Sequence, residues 1–133
     1  MELWNLMRRI KTDEAPQAIG TYSQGTIAGN LIFTSGQIAI NPDSGNVIVD
    51  NFKNEVLQVL NNIEAILIKG GSSKEKIVKL TVFMTDLSQF DDVNLAFEHF
   101  FDTQNNFPSR STIEVSKLPM GVNVEIEAIG IIT

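Results

Sequence analysis

The chain has no cysteine among its 133 residues. That absence excludes a disulfide framework, a thiolate nucleophile and cysteine-ligated metals. His99 is the single histidine, so a zinc or transition-metal site lacks ligands. Positive charge is also scarce, with 10 Lys and Arg against 16 Asp and Glu and a net charge of −6. Apart from Arg8-Arg9-Ile10-Lys11 the cations are scattered, which leaves no basic stripe to track a phosphate backbone. Neither nucleic acid nor a membrane is an expected partner, because no apolar run approaches the length of a span. A G-x-S-x-G nucleophile elbow is missing. Gly70-Gly71-Ser72-Ser73-Lys74 lacks the P-loop spacing and reads as a helix stop.

What is present is ordinary for one globular domain: 43% hydrophobic and 20% charged residues, in a chain long enough to bury a core. The start, Met1-Glu2-Leu3-Trp4-Asn5-Leu6-Met7, carries an acid where a signal peptide carries bases, and a cytoplasmic chain is expected. Met7-Arg8-Arg9-Ile10 is an alternative start. Residues 1–11 are read as an N-terminal extension leading into a first strand, and residues 12–133 as a single domain.

Periodicity assigns the elements. Thr26 to Ser35 reads as a hairpin about Gly29-Asn30, a pair compatible with positive φ at both turn positions. Asn41 to Asn46 is a loop, with Val47–Val49 extended after it. Phe52, Val56, Val59, Leu60, Ile63, Ile66 and Leu67 follow helical spacing over 51–69, with Asp50 or Asn51 as cap and Gly70-Gly71 as a left-handed stop. Ser72-Ser73-Lys74-Glu75 resembles a capping box for one short turn. Ile77 to Thr85 reads as a strand covered, at least in part, on both faces. A second helix is predicted from Ser88 to about Asp102, burying Phe90, Val93, Phe97, Phe100 and Phe101. Asn94 lies at the edge of that stripe, and His99 falls away from it with no role. The order ββ-α-β-α-ββ implies an α+β fold, a mixed sheet with both helices on one face.

Residues 107–127 carry the chemistry. Pro108 biases Phe107 towards an extended conformation, so Arg110 enters a strand. Farther on, Val122, Val124, Ile126 and Ala128 alternate with Asn123, Glu125, Glu127 and Ile129, which puts the carboxylates on one face. If the two strands lie side by side, a guanidinium and a carboxylate share one cleft. The alternative is a structural ion pair of Arg110 with Glu114, Glu125 or Glu127.

Five segments together resemble the Rid family, the reactive-intermediate deaminases, also called YjgF-type proteins. They are Gly20-Thr-Tyr-Ser-Gln-Gly25, Phe33-Thr-Ser-Gly-Gln37, Val78 to Leu87, Phe107-Pro-Ser-Arg-Ser111, and Leu118-Pro119 with Val124-Glu-Ile-Glu-Ala128. The resemblance covers about residues 12–133. It implies a chorismate-mutase-like fold, a ferredoxin-like βαβ variant, and a homotrimer whose sheets form a central barrel with a cleft at each interface. It also implies hydrolysis of 2-aminoacrylate and related enamines or imines to 2-keto acids and ammonia, without a cofactor. Thr21 and Thr112 depart from the deaminase pattern, which often has proline and cysteine there, and Thr112 bears on the range of substrates.

On that resemblance Arg110 binds the substrate carboxylate through its bidentate fork, and Glu125 activates water or handles a proton. Glu127 competes for the second role. Tyr22, the single tyrosine, closes one wall; Ser35 and Gly36 offer a hydroxyl and a backbone N–H; Asn94 and Thr112 complete the substrate contacts. Each has a plainer reading, as a surface ring, a turn or a satisfied buried amide. Two further functions compete: a trimer that binds a 2-keto acid or similar metabolite without turnover, and an endoribonuclease or translation inhibitor. The acidic balance disfavours the latter.

Overall fold

Alternation of apolar and polar residues organises one six-stranded sheet. A computed structural model of the protein describes residues 7–101 and 106–133. Its strands are β1 (Met7–Ile10), β2 (Gly25–Ala28), β3 (Leu31–Thr34), β4 (Ile77–Met84), β5 (Ser109–Glu114) and β6 (Val124–Ile131), with helices α1 (Phe52–Lys69) and α2 (Phe90–Phe101). The spatial order is β1-β2-β3-β6-β4-β5. β4 and β5 run parallel, and the other neighbours are antiparallel. A parallel pair needs a crossover, which α2 supplies. The expected mixed sheet with two helices on one face is therefore the architecture. Among the described residues no helix is long and apolar enough to cross a membrane.

One face of the sheet packs under the helices. Ile32, Leu80, Val82, Met84, Val124 and Ile126 are buried in one cluster with Val56, Leu60 and Ile63 of α1 and Val93, Phe97 and Phe100 of α2. The other face is bare in the single chain. Phe33 and Ile113 are exposed there, while Leu31, Phe83, Ile129 and Ile131 are half-buried. β4, expected to be covered at least in part on both faces, is covered on one: Ile77, Leu80, Val82 and Met84 are buried, whereas Lys79, Thr81 and Phe83 face the bare side.

Local chemistry explains the ends, with four corrections. Asn51 caps α1, its Oδ1 accepting from the Asn54 N–H at 2.8 Å. In the β2–β3 turn positive φ falls on Gly29 alone (61°), not on both central residues. The left-handed stop after α1 belongs to Gly71 (φ 93°). Gly70 is needed for space instead, since a Cβ there would lie 2.7 Å from Ile10 Cδ1 and Ile32 Cδ1. The Ser72–Glu75 capping box does not form: Ser72 Oγ donates to the Ile131 carbonyl at 2.6 Å, and Ser73 makes no side-chain cap. Phe90 is not buried either: residues 87–89 form a separate 3₁₀ turn before it, and the residue is 39% exposed. Residues 1–6 and the expected helix end at Asp102 lie outside the described residues.

Candidate functional site

Arg110 and Glu125 do not share a cleft within one chain. β4 lies between β5 and β6, which separates the two strands by about 10 Å. Register also divides them by face. Arg110 pairs with Leu80, whose side chain is buried under the helices, whereas Glu125 pairs with Phe83 on the bare side. The side-by-side expectation is overturned, and two separate groups of residues take its place.

The first group surrounds Arg110. Its guanidinium carbon sits 5.1 Å from the Phe90 ring centre and 5.0 Å from that of Phe97, so two aromatic faces hold the cation. Asn94, Phe97, Glu98, Phe107, Pro108 and Arg110 line a cavity of about 350 Å³. Loss of solvent lowers the Arg110 pKa from its ordinary value, and no carboxylate contributes. The ion-pair alternative finds no partner here: Glu114 instead accepts from the Leu87 N–H at 3.0 Å. Thr112 lies two residues along the same face of β5, and its buried Oγ1 has no hydrogen-bond partner among the described residues.

The second group surrounds Glu125. Its carboxylate is packed against the backbone of Gly36, where a Cβ would lie 2.5 Å from Oε2 and 2.8 Å from Cδ. Loss of solvent, then the charge of Glu127, raises the Glu125 pKa above the usual carboxylate value. Glu127 is exposed. The Gly36 N–H has no hydrogen-bond acceptor among the described residues, although its neighbours Ser35 and Gln37 both do. Ser35 Oγ donates to the Ser23 carbonyl at 2.5 Å, tying the Tyr22 loop to the end of β3. Tyr22 is 46% exposed, and its hydroxyl accepts from the Ile19 N–H at 3.2 Å, which leaves the phenolic proton to donate.

Tyr22 and Gly36 line a cavity of about 20 Å³, and Tyr22 also lines one of about 360 Å³ with residues 9–11; neither includes Glu125. A cavity of about 760 Å³, a mixed-charge trough between residues 11–14 and α1, includes none of the candidates. His99 is exposed. Sequence reasoning missed Phe90 and Phe97 as the walls beside Arg110, and Glu98 at the cavity's edge. The signal was available, since positions 90, 94 and 97 share one helical face.

Comparison with known proteins places these groups in context. The family model described as Endoribonuclease L-PSP matches residues 12–132. A 2-iminobutanoate/2-iminopropanoate deaminase of Escherichia coli K12 is 46% identical over 127 residues, covering 95% of this chain and 98% of the relative. A RutC family protein of Haemophilus influenzae is 48% identical over 124 residues, covering 92% and 95%. The structure of Escherichia coli TdcF with bound serine superposes with a TM-score of 0.90 at 40% identity, covering 95% of this chain and 99% of that one.

Proposed function

The chain belongs to the Endoribonuclease L-PSP family, the Rid or YjgF-type proteins, and we propose that it acts as a cytoplasmic hydrolase of 2-imino acids and their enamine tautomers. The products are 2-keto acids and ammonia. The observation that carries the reading is Arg110: a half-buried guanidinium between two aromatic rings, beside an open cavity, with no ion pair to a carboxylate among the described residues. A buried charge left unpaired is costly, and a ligand carboxylate removes that cost. The relative solved with serine bound also holds a small molecule that carries a carboxylate.

The two groups form one site when copies of the chain associate as a closed ring of three. The bare apolar face and the unpaired edge of β5 give such association its driving force. Arg110 and Asn94 of one copy then meet Tyr22, Gly36 and Glu125 of the next. Arg110 fixes the substrate carboxylate, and water attacks the carbon of the N-protonated imine while Glu125 takes one of its protons, leaving a neutral carbinolamine. Glu125 passes that proton to nitrogen and then takes the hydroxyl proton as C=O forms; the C–N bond breaks, ammonia leaves with the electron pair, and Glu125 returns its proton to solvent. A carboxylate with a raised pKa suits both halves of this transfer. No step needs a cofactor.

The test is a competition assay in which an amino-acid oxidase generates the imine and semicarbazide traps what escapes hydrolysis. Arg110→Ala should abolish the protection seen with wild type while the melting temperature stays within a few degrees. Arg110→Lys should recover little, because a point charge does not reproduce the fork. A folded Arg110→Ala protein with full turnover would refute the assignment. The metabolite-binding reading predicts no wild-type turnover at all. The endoribonuclease reading has a net charge of −6 against it.

A further inference from the structure

Helix α1 carries two almost fully buried polar residues on its sheet side, Glu55 and Asn62, each 1% exposed. They are seven positions apart, two turns on one face. Asn62 Nδ2 donates to the carbonyls of Ile38 at 3.1 Å and Ile40 at 2.9 Å, and its Oδ1 accepts from Gln58 at 2.9 Å. Those carbonyls lie two and four residues after Gly36. Glu55 grips the other partner: its two oxygens accept from the Asn123 backbone N–H and from Asn123 Nδ2, both at 2.9 Å. Asn123 stands two residues before Glu125, where the chain enters β6. A small cluster of Ile38, Ile40 and Val122 packs the two gripped segments together.

We propose that Glu55 is a positioning residue for the imine hydrolysis: acting through Asn123 from the opposite side of the sheet, it fixes β6 at the spacing that seats the Glu125 carboxylate against Gly36. The inference rests on the function proposed above. Its physical basis is the narrow tolerance of that contact, since the Glu125 carboxylate lies too close to Gly36 to admit even a Cβ. Apolar packing alone would close the helix onto the sheet about as well, because exchanging both partners of a buried hydrogen bond for apolar groups of the same shape is nearly neutral. What the carboxylate adds is direction, two fixed acceptors for one residue at the mouth of the strand. Asn62 holds the Gly36 segment by the same logic, so one rigid helix sets both sides of the contact. Displacements of under an ångström at a reacting group lower turnover steeply.

The experiment compares Glu55→Ala, Glu55→Gln and Asn123→Ala with wild type in the imine competition assay, reading kcat and KM per folded molecule. Glu55→Ala should lower kcat by about tenfold or more with KM nearly unchanged, since the Arg110 side is untouched. Glutamine keeps one acceptor for the Asn123 N–H and can pair its amide with that of Asn123, so Glu55→Gln should return kcat to within about twofold. Asn123→Ala, which removes one of the two bonds at an exposed position, should fall between. Should Glu55→Ala fail to fold, Asn123→Ala decides. Unchanged kcat in Asn123→Ala, or a glutamine variant as defective as alanine, would overturn the positioning role. An inactive wild type would instead strike the proposed function itself.

Discussion

Gly36→Ala isolates the contact on which the proposed chemistry depends. The glycine does not occupy positive φ, so alanine meets no backbone strain. The three atoms nearest the new Cβ all belong to Glu125, whose Oε2 would lie 2.5 Å away, about 0.9 Å inside the 3.4 Å at which ordinary contact begins. A carboxylate at the end of a flexible side chain yields more easily than the backbone, so Glu125 swings aside. The fold loses little, within about 0.5 kcal/mol. Turnover loses much: a misplacement near 1 Å costs roughly 10²-fold. The assay pairs the imine competition rate with thermal denaturation. Gly70→Ala provides the contrast, because its Cβ would lie 2.7 Å from Ile10 and Ile32 side chains inside the core. Overpacking there should cost about 1–3 kcal/mol of stability with activity per folded molecule unchanged. Wild-type turnover in Gly36→Ala would refute the claim that Glu125 works from its seat on Gly36.

Further outcomes follow from other groups. The Glu125 pKa is raised in the folded protein, so the group favours folding below the ordinary carboxylate range and loses that contribution as pH rises through the raised value. Glu125→Gln should therefore be slightly more stable than wild type at pH 7, by under about 1 kcal/mol for a half-solvated group, with the difference closing below about pH 4. Its turnover should fall by about 10²-fold or more. A melting temperature below wild type at pH 7 would contradict the desolvation argument. Thr112→Val removes a buried hydroxyl that has no partner among the described residues, and should add about 1 kcal/mol, or roughly 3–5 °C in Tm. KM should rise if the hydroxyl meets substrate, as the resemblance to the family implies; an unchanged KM removes Thr112 from the site.

Much of the fold was legible because each element satisfies its own local rule. The apolar period of α1 and its Asn51 cap, and the alternation through Val124, Ile126 and Ala128, needed no tertiary information. The relation between Arg110 and Glu125 did. Nothing local reveals that β4 inserts between β5 and β6, or that register sets Arg110 opposite Leu80 and Glu125 opposite Phe83. A shift of one residue would have put both on one face. Phe90 misled for a related reason: its helical spacing suits burial, but Arg110 occupies the space beside it. Gly70 likewise fits a helix stop, and only the approach of Ile10 and Ile32 shows that it serves packing.

Complementation between defective copies tests the central claim most directly, namely that the site is completed across an interface. Arg110→Ala and Glu125→Gln chains, each inactive alone, are mixed in equal amounts, unfolded and refolded together. In randomly assembled rings of three, about a quarter of the interfaces join an intact Arg110 to an intact Glu125. The mixture should recover about a quarter of wild-type turnover, while the same proteins mixed without exchange stay inactive. Background activity after verified subunit exchange would contradict the account.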